Sequence, residues 1–194
     1  NRYQNSLDSF VTLVRYYESA SDVLGALREE ALQYMAVVLA EEDWDIDGVP
    51  DPSRGMPRVR MQLSSGESWE LDVMDRLTQV WFENERFALS IEGYRFMIDN
   101  WPADRRNPER HERIVQALSR QNEIEAAFAE QLEMANLYQP GSSWYQYQEE
   151  EGNFRAMAYA EELSRRTLLD SARYYNQQAD LLRDRSLAAG GDRE

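Results

Sequence analysis

Apolar residues recur at alternating spacings of three and four over four long stretches of the chain, the period of an α-helix that buries one face. These stretches cover residues 3 to 41, 68 to 99, 108 to 138 and 144 to 187. The first stretch shows the spacing clearly, with Leu7, Phe10, Val14 and Tyr17 in register. The pattern therefore predicts an all-α fold built from four long helices.

Residues 42 to 67 interrupt this pattern with three prolines and three glycines. Within this insertion, residues 58 to 63 alternate polar and apolar side chains, as a half-buried strand does. A short hairpin that turns at residues 64 to 66 is one interpretation, and a loop that runs directly into the second helix is the other. Either way, we expect an irregular insertion between the first two helices.

Four helices in this order predict an up-down-up-down bundle with long outer helices. We expect a single domain over residues 1–189 and a flexible tail over residues 190–194, which hold two glycines and charged residues. In helix number and length, the layout resembles the four-helix ectodomains of bacterial chemoreceptors and sensor kinases. The resemblance implies a position on the periplasmic or extracellular side of a bacterial membrane, with a membrane tether outside these residues.

The charge of the chain limits its partners, because 36 acidic residues face 21 basic residues and the net charge is −15. All of the basic residues are arginine. A surface this acidic argues against nucleic acids and anionic lipids, both of which need clustered basic residues. The absence of cysteine excludes disulfides and thiolate metal sites. We therefore expect protein partners, including a homodimer, and no nucleic acid.

One stretch of the insertion has the composition of an ion site, with the pattern D-x-D-x-D-G-x-x-D over residues 43–51. Calcium takes six to eight oxygen ligands, which alternate aspartates on a tight loop can supply. The nonapeptide resembles the first nine positions of an EF-hand loop and the D-x-D-x-D-G-V-P-D core of thrombospondin type 3 calcium repeats. The resemblance implies these ligands: the carboxylates of Asp43, Asp45, Asp47 and Asp51, and the carbonyl of Val49.

Arg54 occupies the twelfth position, where both kinds of calcium loop carry an acid. We therefore expect a weak calcium site, with a dissociation constant of roughly 10⁻⁴–10⁻³ M. The alternative is an acidic loop that is simply solvated.

Three polar residues interrupt the apolar seams of the predicted helices: Arg28, Asn84 and Glu125. Counted from the insertion end of the bundle, they fall in one layer. A buried layer of this kind fixes helix register, with Glu125 as the partner of Arg28. The alternative is that Arg28 holds a small anionic ligand there.

His111 is the only histidine, which rules out di-iron and most zinc chemistry, and we expect it at the surface or as a helix cap. No nucleophile motif and no glycine-rich phosphate loop is present. The sequence thus predicts a protein that is not an enzyme. We expect a non-catalytic extracytoplasmic binding or sensor domain, and the alternative is a structural scaffold subunit of a larger assembly.

Overall fold

The structure is a computed structural model that describes residues 2–19 and 25–190. The chain divides into two compact units, an N-terminal unit of Asn1–Asn100 and a C-terminal unit of Trp101–Glu194. The single domain over residues 1–189 stays a prediction. Of the predicted tail, residues 191–194 lie outside the described residues, and residue 190 is the last residue of a helix.

The described residues form α-helices and contain no strands, so the all-α class is confirmed. The helices are α1 Arg2–Ser19, α2 Gly25–Ala40, α3 Met56–Gln62, α4 Ser68–Glu83, α5 Phe87–Asn100, α6 Asn107–Arg120, α7 Ile124–Tyr138, α8 Ser143–Glu150 and α9 Phe154–Gly190. The up-down-up-down order of four helices is not confirmed, because each predicted helix corresponds to two shorter ones.

The first predicted helix, over residues 3 to 41, is wrong, because α1 and α2 pack against each other. The rings of Phe10 and Tyr34 stack with centroids 5.5 Å apart. In one straight helix, residues this far apart in sequence would be separated by about 36 Å. The apolar residues keep the same spacing of three and four in both helices, because each helix buries one face. The spacing alone therefore does not reveal the break between them. Residues 20–24 lie outside the described residues.

The second and third predicted helices also fold back, α4 on α5 and α6 on α7. The turns contain Glu85 and Asn122 in the left-handed region, with φ of 59° and 62°. At the first turn the N–H of Arg86 donates to the carbonyl of Trp81 at 2.8 Å, and the second turn repeats this bond at 2.9 Å. This bond across five residues belongs to the Schellman motif, which ends a helix. In neither turn is the left-handed residue a glycine, which is the residue that usually occupies this position of the motif.

The fourth predicted helix divides at Gly152 into α8 and α9. Gly152 adopts a φ of 70°, a conformation that a glycine reaches without steric cost. Helix α9 has 37 residues, and its last fully buried side chain is Ser171. Residues 175–186 are exposed, so this end of α9 extends past the core of the C-terminal unit.

The interpretation of residues 58 to 63 as a strand is wrong, since residues 58 to 62 belong to helix α3 and residue 63 follows its last turn. Met56 and Val59 are buried one helical turn apart, and Arg58 between them is buried as well. Pro57 stands in the first turn of the helix, where its missing N–H costs nothing. The alternation of polar and apolar residues fits this short helix as well as it fits a strand.

The core of the N-terminal unit centres on α2, which packs against α1 and α4, while α5 packs against α4 and α3. Its largest fully buried apolar side chains include Leu7, Leu32, Met35, Leu39, Met74, Leu77, Trp81 and Met97. Helices α4 and α5 approach so closely that a Cβ at Gly93 would lie 2.3 Å from Cγ2 of Thr78. Only glycine fits at this crossing without a shift of its neighbours.

The C-terminal unit packs α7 against α6, α8 and α9. One part of its core contains the buried residues Met134, Tyr138, Trp144, Ala160 and Leu163. Among the residues that the structure describes, no helix has both the length and the apolar character needed to cross a bilayer.

Candidate functional site

The candidate ion loop lies between α2 and α3, in a segment that the structure shows as irregular from residue 41 to residue 55. The backbone N–H of Asp51 donates to the carbonyl of Glu42 at 2.8 Å. This bond brings the two ends of the nonapeptide region side by side. The residues between them therefore form a closed loop at the carboxyl end of α2, where the helix dipole favours a cation.

Three of the predicted ligands come together in this loop. Asp43, Asp45 and Asp47 each offer a carboxylate oxygen, and these oxygens all lie within 4.8 Å of one another. Asp43 is half-buried, whereas the other two are exposed. Groups of like charge this close repel one another, and a divalent cation among them would remove that repulsion.

The backbone of the loop is wrapped around Asp43. One carboxylate oxygen of Asp43 accepts the N–H of Ile46 at 2.7 Å, and the other accepts the N–H of Gly48 at 2.8 Å. Asp47 in turn accepts the N–H of Val49 at 2.8 Å. These bonds set the spacing of the aspartates without help from a distant part of the chain.

The pKa values of the first two aspartates move in opposite directions. Partial desolvation would raise the pKa of Asp43, but the N–H groups of Gly48 and Ile46 outweigh it and leave the pKa below its ordinary value. Desolvation raises the pKa of Asp45, and the neighbouring charge of Asp47 adds to the rise. The loop therefore stabilises the charged form of Asp43 and disfavours the charged form of Asp45, mainly through desolvation.

Asp51 has a different role in the structure from the other predicted ligands. Its Oδ2 accepts the backbone N–H of Trp44 at 2.9 Å and also a hydrogen bond from the guanidinium of Arg58. The charge of Asp51 still reaches Asp45 and contributes to its raised pKa. Val49 is exposed at the tip of the loop, with 61% of its surface accessible.

Arg58 is the residue that sequence reasoning missed. Its side chain is 1% exposed, forms an ion pair with Asp51, and donates to the backbone carbonyls of Glu41 and Glu42. Its guanidinium also stacks over the ring of Trp44, with 4.3 Å to the ring centroid. Arg58 thus fastens α3 to the carbonyls at the end of α2 and to both ends of the loop. Burial lowers the pKa of Arg58 from its ordinary value, against the opposing pull of Asp51.

Trp44 completes this attachment. Its indole N–H donates to the carbonyl of Val38 at 3.0 Å, within the last turn of α2, and its ring stacks with Tyr3 of α1 at 6.2 Å. We use the name Arg58 clamp for Arg58, Trp44 and Asp51. Each member of the clamp forms at least one hydrogen bond with another part of the chain, so the clamp is a structural device beside the aspartates.

Ile46 has a φ of 64°, in the left-handed region that β-branched residues rarely adopt. Its side chain is 59% exposed, so burial does not explain this conformation. The hydrogen bond from its N–H to Asp43 holds it there. The loop therefore stores backbone strain at the residue between Asp45 and Asp47.

The predicted polar layer of Arg28, Asn84 and Glu125 does not form as a buried layer. Arg28 is half-buried and pairs with Glu18 at 2.8 Å. Asn84 is exposed in the turn that ends α4, and Glu125 is exposed in the first turn of α7. The prediction assumed long continuous helices, and the two turns that interrupt them bring both residues to the surface.

His111 is buried, which corrects the expectation of a surface or cap residue. Its Nε2 lies 3.0 Å from a carboxylate oxygen of Glu130, and its Nδ1 lies 2.8 Å from the hydroxyl of Tyr138. Both neighbours are buried too. Burial raises the pKa of the Tyr138 hydroxyl well above its ordinary value, so the hydroxyl keeps its proton. These three residues form the histidine cluster of the C-terminal unit.

Each member of the histidine cluster is hydrogen-bonded to another member. The Tyr138 hydroxyl, which keeps its proton, can donate to Nδ1, and the hydrogen bond between Nε2 and Glu130 then uses the other ring nitrogen. A histidine that uses both nitrogens in this way has no position left for a metal or a substrate. One feature of the sequence is consistent with the burial of His111: it shares one face of α6 with Ile114 and Leu118.

Comparison with known proteins identifies no relative: no family model, no curated protein and no solved structure matches the chain.

Proposed function

We propose that the chain is a non-catalytic binding module whose loop of residues 43–51 binds calcium with low affinity. The observation that carries this proposal is the group formed by Asp43, Asp45 and Asp47, whose ligand atoms lie within 4.8 Å of one another. Hard cations such as calcium prefer carboxylate and carbonyl oxygens, which is what the loop offers.

The number of available oxygens supports a weak site. Three carboxylates and the carbonyl of Val49 leave calcium short of the six to eight oxygens that it takes, so water has to supply the rest. Arg58 already engages one oxygen of Asp51, which leaves the other oxygen as a further ligand. Arg54 supplies no carboxylate at the twelfth position and instead donates to the carbonyl of Asp51 at 3.2 Å. We expect a dissociation constant of roughly 10⁻⁴–10⁻³ M.

An affinity in this range favours the extracytoplasmic location that we propose, because extracellular calcium modules work in it. In this location the protein would act as a sensor through the Arg58 clamp. Calcium among the aspartates would neutralise the charge beside Asp51, and the clamp connects Asp51 to α2 and α3. The ion would thereby stabilise the junction of those two helices. A membrane tether outside these residues stays part of this proposal.

Calcium titration by calorimetry tests the proposal. The variant with Asp43, Asp45 and Asp47 all changed to asparagine should lose the binding heat that the unmodified protein gives at millimolar calcium. Changing Glu149, Glu150 and Glu151 to glutamine provides a control. These three residues are exposed, and their substitution removes the same amount of negative charge, but from the C-terminal unit. The control should bind calcium like the unmodified protein. Absence of binding heat in the unmodified protein would refute the proposal.

A structural scaffold subunit is the second candidate, and the exposed end of α9 favours it. Leu168, Tyr175 and Leu182 are each at least 50% exposed. With the exposed Ala172 and Ala179 they follow alternating spacings of four and three, the seam of a coiled coil. The occupant that we propose for this seam is a second copy of the chain.

Sedimentation analysis separates this candidate from a monomeric module. Leu182→Glu should convert a dimer to a monomer, whereas Leu181→Glu, at the neighbouring exposed position outside the seam, should not. If the unmodified protein is a monomer, the proposal that the seam of α9 pairs with a second copy of the chain is wrong.

A further inference from the structure

A groove of about 720 Å³ lies in the C-terminal unit, where the segment before α6 meets the turn between α8 and α9. Its volume is within the range of small-molecule sites, about 300–1,000 Å³. The side chains that matter for its chemistry are Arg105, Arg106, Glu109, Phe154, Arg155 and Tyr159. The groove belongs to a different unit from the calcium loop, and it contains none of the residues discussed there.

The groove is positive in a strongly acidic chain. Three arginines and one glutamate line it, although the chain as a whole carries a net charge of −15. Arg106 is partly neutralised by Asp104, with Nε 3.4 Å from Oδ1. Over the described ranges, the side chains of Arg105 and Arg155 form neither an ion pair nor a hydrogen bond.

These two arginines are informative because of the composition. With 36 acidic residues for 21 basic ones, a carboxylate is usually within reach of an arginine, as the many ion pairs of α9 and α2 illustrate. Arg105 and Arg155 are exposed on the same groove and face no such partner. A planar guanidinium group matches a carboxylate or a phosphate with two parallel hydrogen bonds.

Aromatic surface lies beside the guanidinium groups. Phe154 is 68% exposed, the most exposed large apolar side chain of the described residues. Tyr159 is half-buried, and its hydroxyl donates to Glu112, which fixes the orientation of its ring in the wall of the groove. An exposed phenylalanine next to an ordered tyrosine offers a surface on which a flat apolar group can pack.

We propose that this groove binds a small anionic ligand, made of a planar apolar body that carries a carboxylate or a phosphate group. Arg105 and Arg155 hold the anion, and Phe154 packs against the planar body. The start of α9 adds a favourable dipole, but the guanidinium groups and the ring are what select the ligand. A purely apolar ligand would leave both arginines unused, and a bare anion would leave Phe154 exposed.

Calorimetric titration of the full chain with phenyl phosphate and with benzoate tests this inference. At least one of the two should bind saturably, and the one that binds identifies phosphate or carboxylate as the preferred anion. Inorganic phosphate and benzyl alcohol, which each carry half of the ligand, should bind at least about tenfold more weakly. Performing the titrations in the presence of a calcium chelator keeps the result independent of the calcium proposal.

Two variants assign the roles of the residues. Changing Arg105 and Arg155 together to alanine should weaken binding at least about tenfold, and Phe154→Ala should weaken it about fivefold. Arg165 and Arg173 are suitable control residues, because they are exposed on the same helix and already pair with acids one turn away. Changing both of them to alanine should leave the affinity unchanged.

Three results would overturn the inference. The first is no saturable binding of either aromatic probe, and the second is inorganic phosphate binding as tightly as phenyl phosphate. The third is an equal loss of affinity in the control variant, which would indicate a general charge effect. All substituted side chains are exposed, so circular dichroism should show the same helix content in every variant.

Discussion

The loop proposed to bind calcium, in the N-terminal unit, and the histidine cluster of the C-terminal unit are both groups of three polar side chains. They differ in whether the charges and hydrogen-bonding groups of those side chains are satisfied within the protein. In the loop, three carboxylates of like charge face one another and are held by backbone N–H groups. In the histidine cluster, Tyr138, His111 and Glu130 alternate as donors and acceptors and are buried.

The difference shows which kind of polar group can take a ligand. The histidine cluster is complete, so its members stabilise the fold and have no capacity left for binding. The loop is ordered by its backbone, but its charges are uncompensated and two of the aspartates are exposed. Order together with unbalanced charge is what a cation site needs before the cation arrives.

Arg58→Ala should lower the free energy of unfolding by about 3–5 kcal/mol, the usual cost of removing one partner of a buried ion pair. The substitution would remove the cation that pairs with Asp51 and the side-chain donor to the carbonyl of Glu41. Asp51 and the carbonyl of Glu42 would keep only their backbone donors. Chemical denaturation measures the effect. Arg60→Ala is the matched control on the same helix, because Arg60 is 57% exposed and its loss should cost less than about 0.5 kcal/mol. Equal costs for the two variants would show that the Arg58 clamp does not stabilise the loop.

Tyr138→Phe should lower the free energy of unfolding by about 1–3 kcal/mol, since it leaves Nδ1 of His111 buried without a donor. The phenyl ring keeps the packing against Trp144, so the loss reports the hydroxyl. Tyr147→Phe removes a hydroxyl from a tyrosine that is 44% exposed and should be nearly neutral. If Tyr138→Phe is equally neutral, the histidine cluster is not a closed network.

Calcium affinity should fall as the pH falls through the pKa of Asp45, which lies above its ordinary value. Calcium binds the ionised carboxylate, so a proton on Asp45 competes with the ion. The calcium affinity therefore reaches its full value only above the pKa of Asp45. The loss should approach about tenfold per pH unit below it. Asp43, whose pKa is lowered, should stay ionised to a more acidic pH. Calorimetry across the acidic range measures the dependence, and Asp45→Asn should flatten it.

Ile46→Asn should raise the free energy of unfolding by up to about 1 kcal/mol, because asparagine tolerates the left-handed conformation better than isoleucine does. Little burial is lost, since Ile46 is 59% exposed. Val49→Asn, at an equally exposed position of the same loop without a positive φ, serves as the control and should bring no gain. A destabilised Ile46→Asn variant would mean that the isoleucine side chain makes contacts that offset its strain.

The sequence predicts the helical class and the irregular structure over residues 42–55, because both depend on local patterns. Helix α3, within the expected irregular insertion, was not predicted. The sequence does not reveal the turns at Glu85 and Asn122, because the apolar spacing continues on both sides and no glycine marks either one. The turn at Gly152 differs from these two, since there the left-handed position carries a glycine, which the sequence displays. Turn chemistry, more than helix periodicity, therefore decides how many helices this chain forms.

The candidate site shows the same limit. The grouping of Asp43, Asp45 and Asp47 follows from their spacing in a tight loop, which the sequence displays directly. The roles of Arg58 and His111 depend on burial and on partners distant in the chain, Glu41 for the arginine and Glu130 for the histidine. No local pattern distinguishes a buried arginine or histidine from an exposed one when its partner is so far away in sequence.

Terbium luminescence tests whether an ion binds in this loop, because Trp44 lies between Asp43 and Asp45 and can transfer its excitation to a lanthanide bound there. Excitation of tryptophan should produce terbium emission in the unmodified protein, and millimolar calcium should displace it. The variant with Asp43, Asp45 and Asp47 changed to asparagine should give no such emission. Emission that persists in this variant, or that calcium does not displace, would contradict the account.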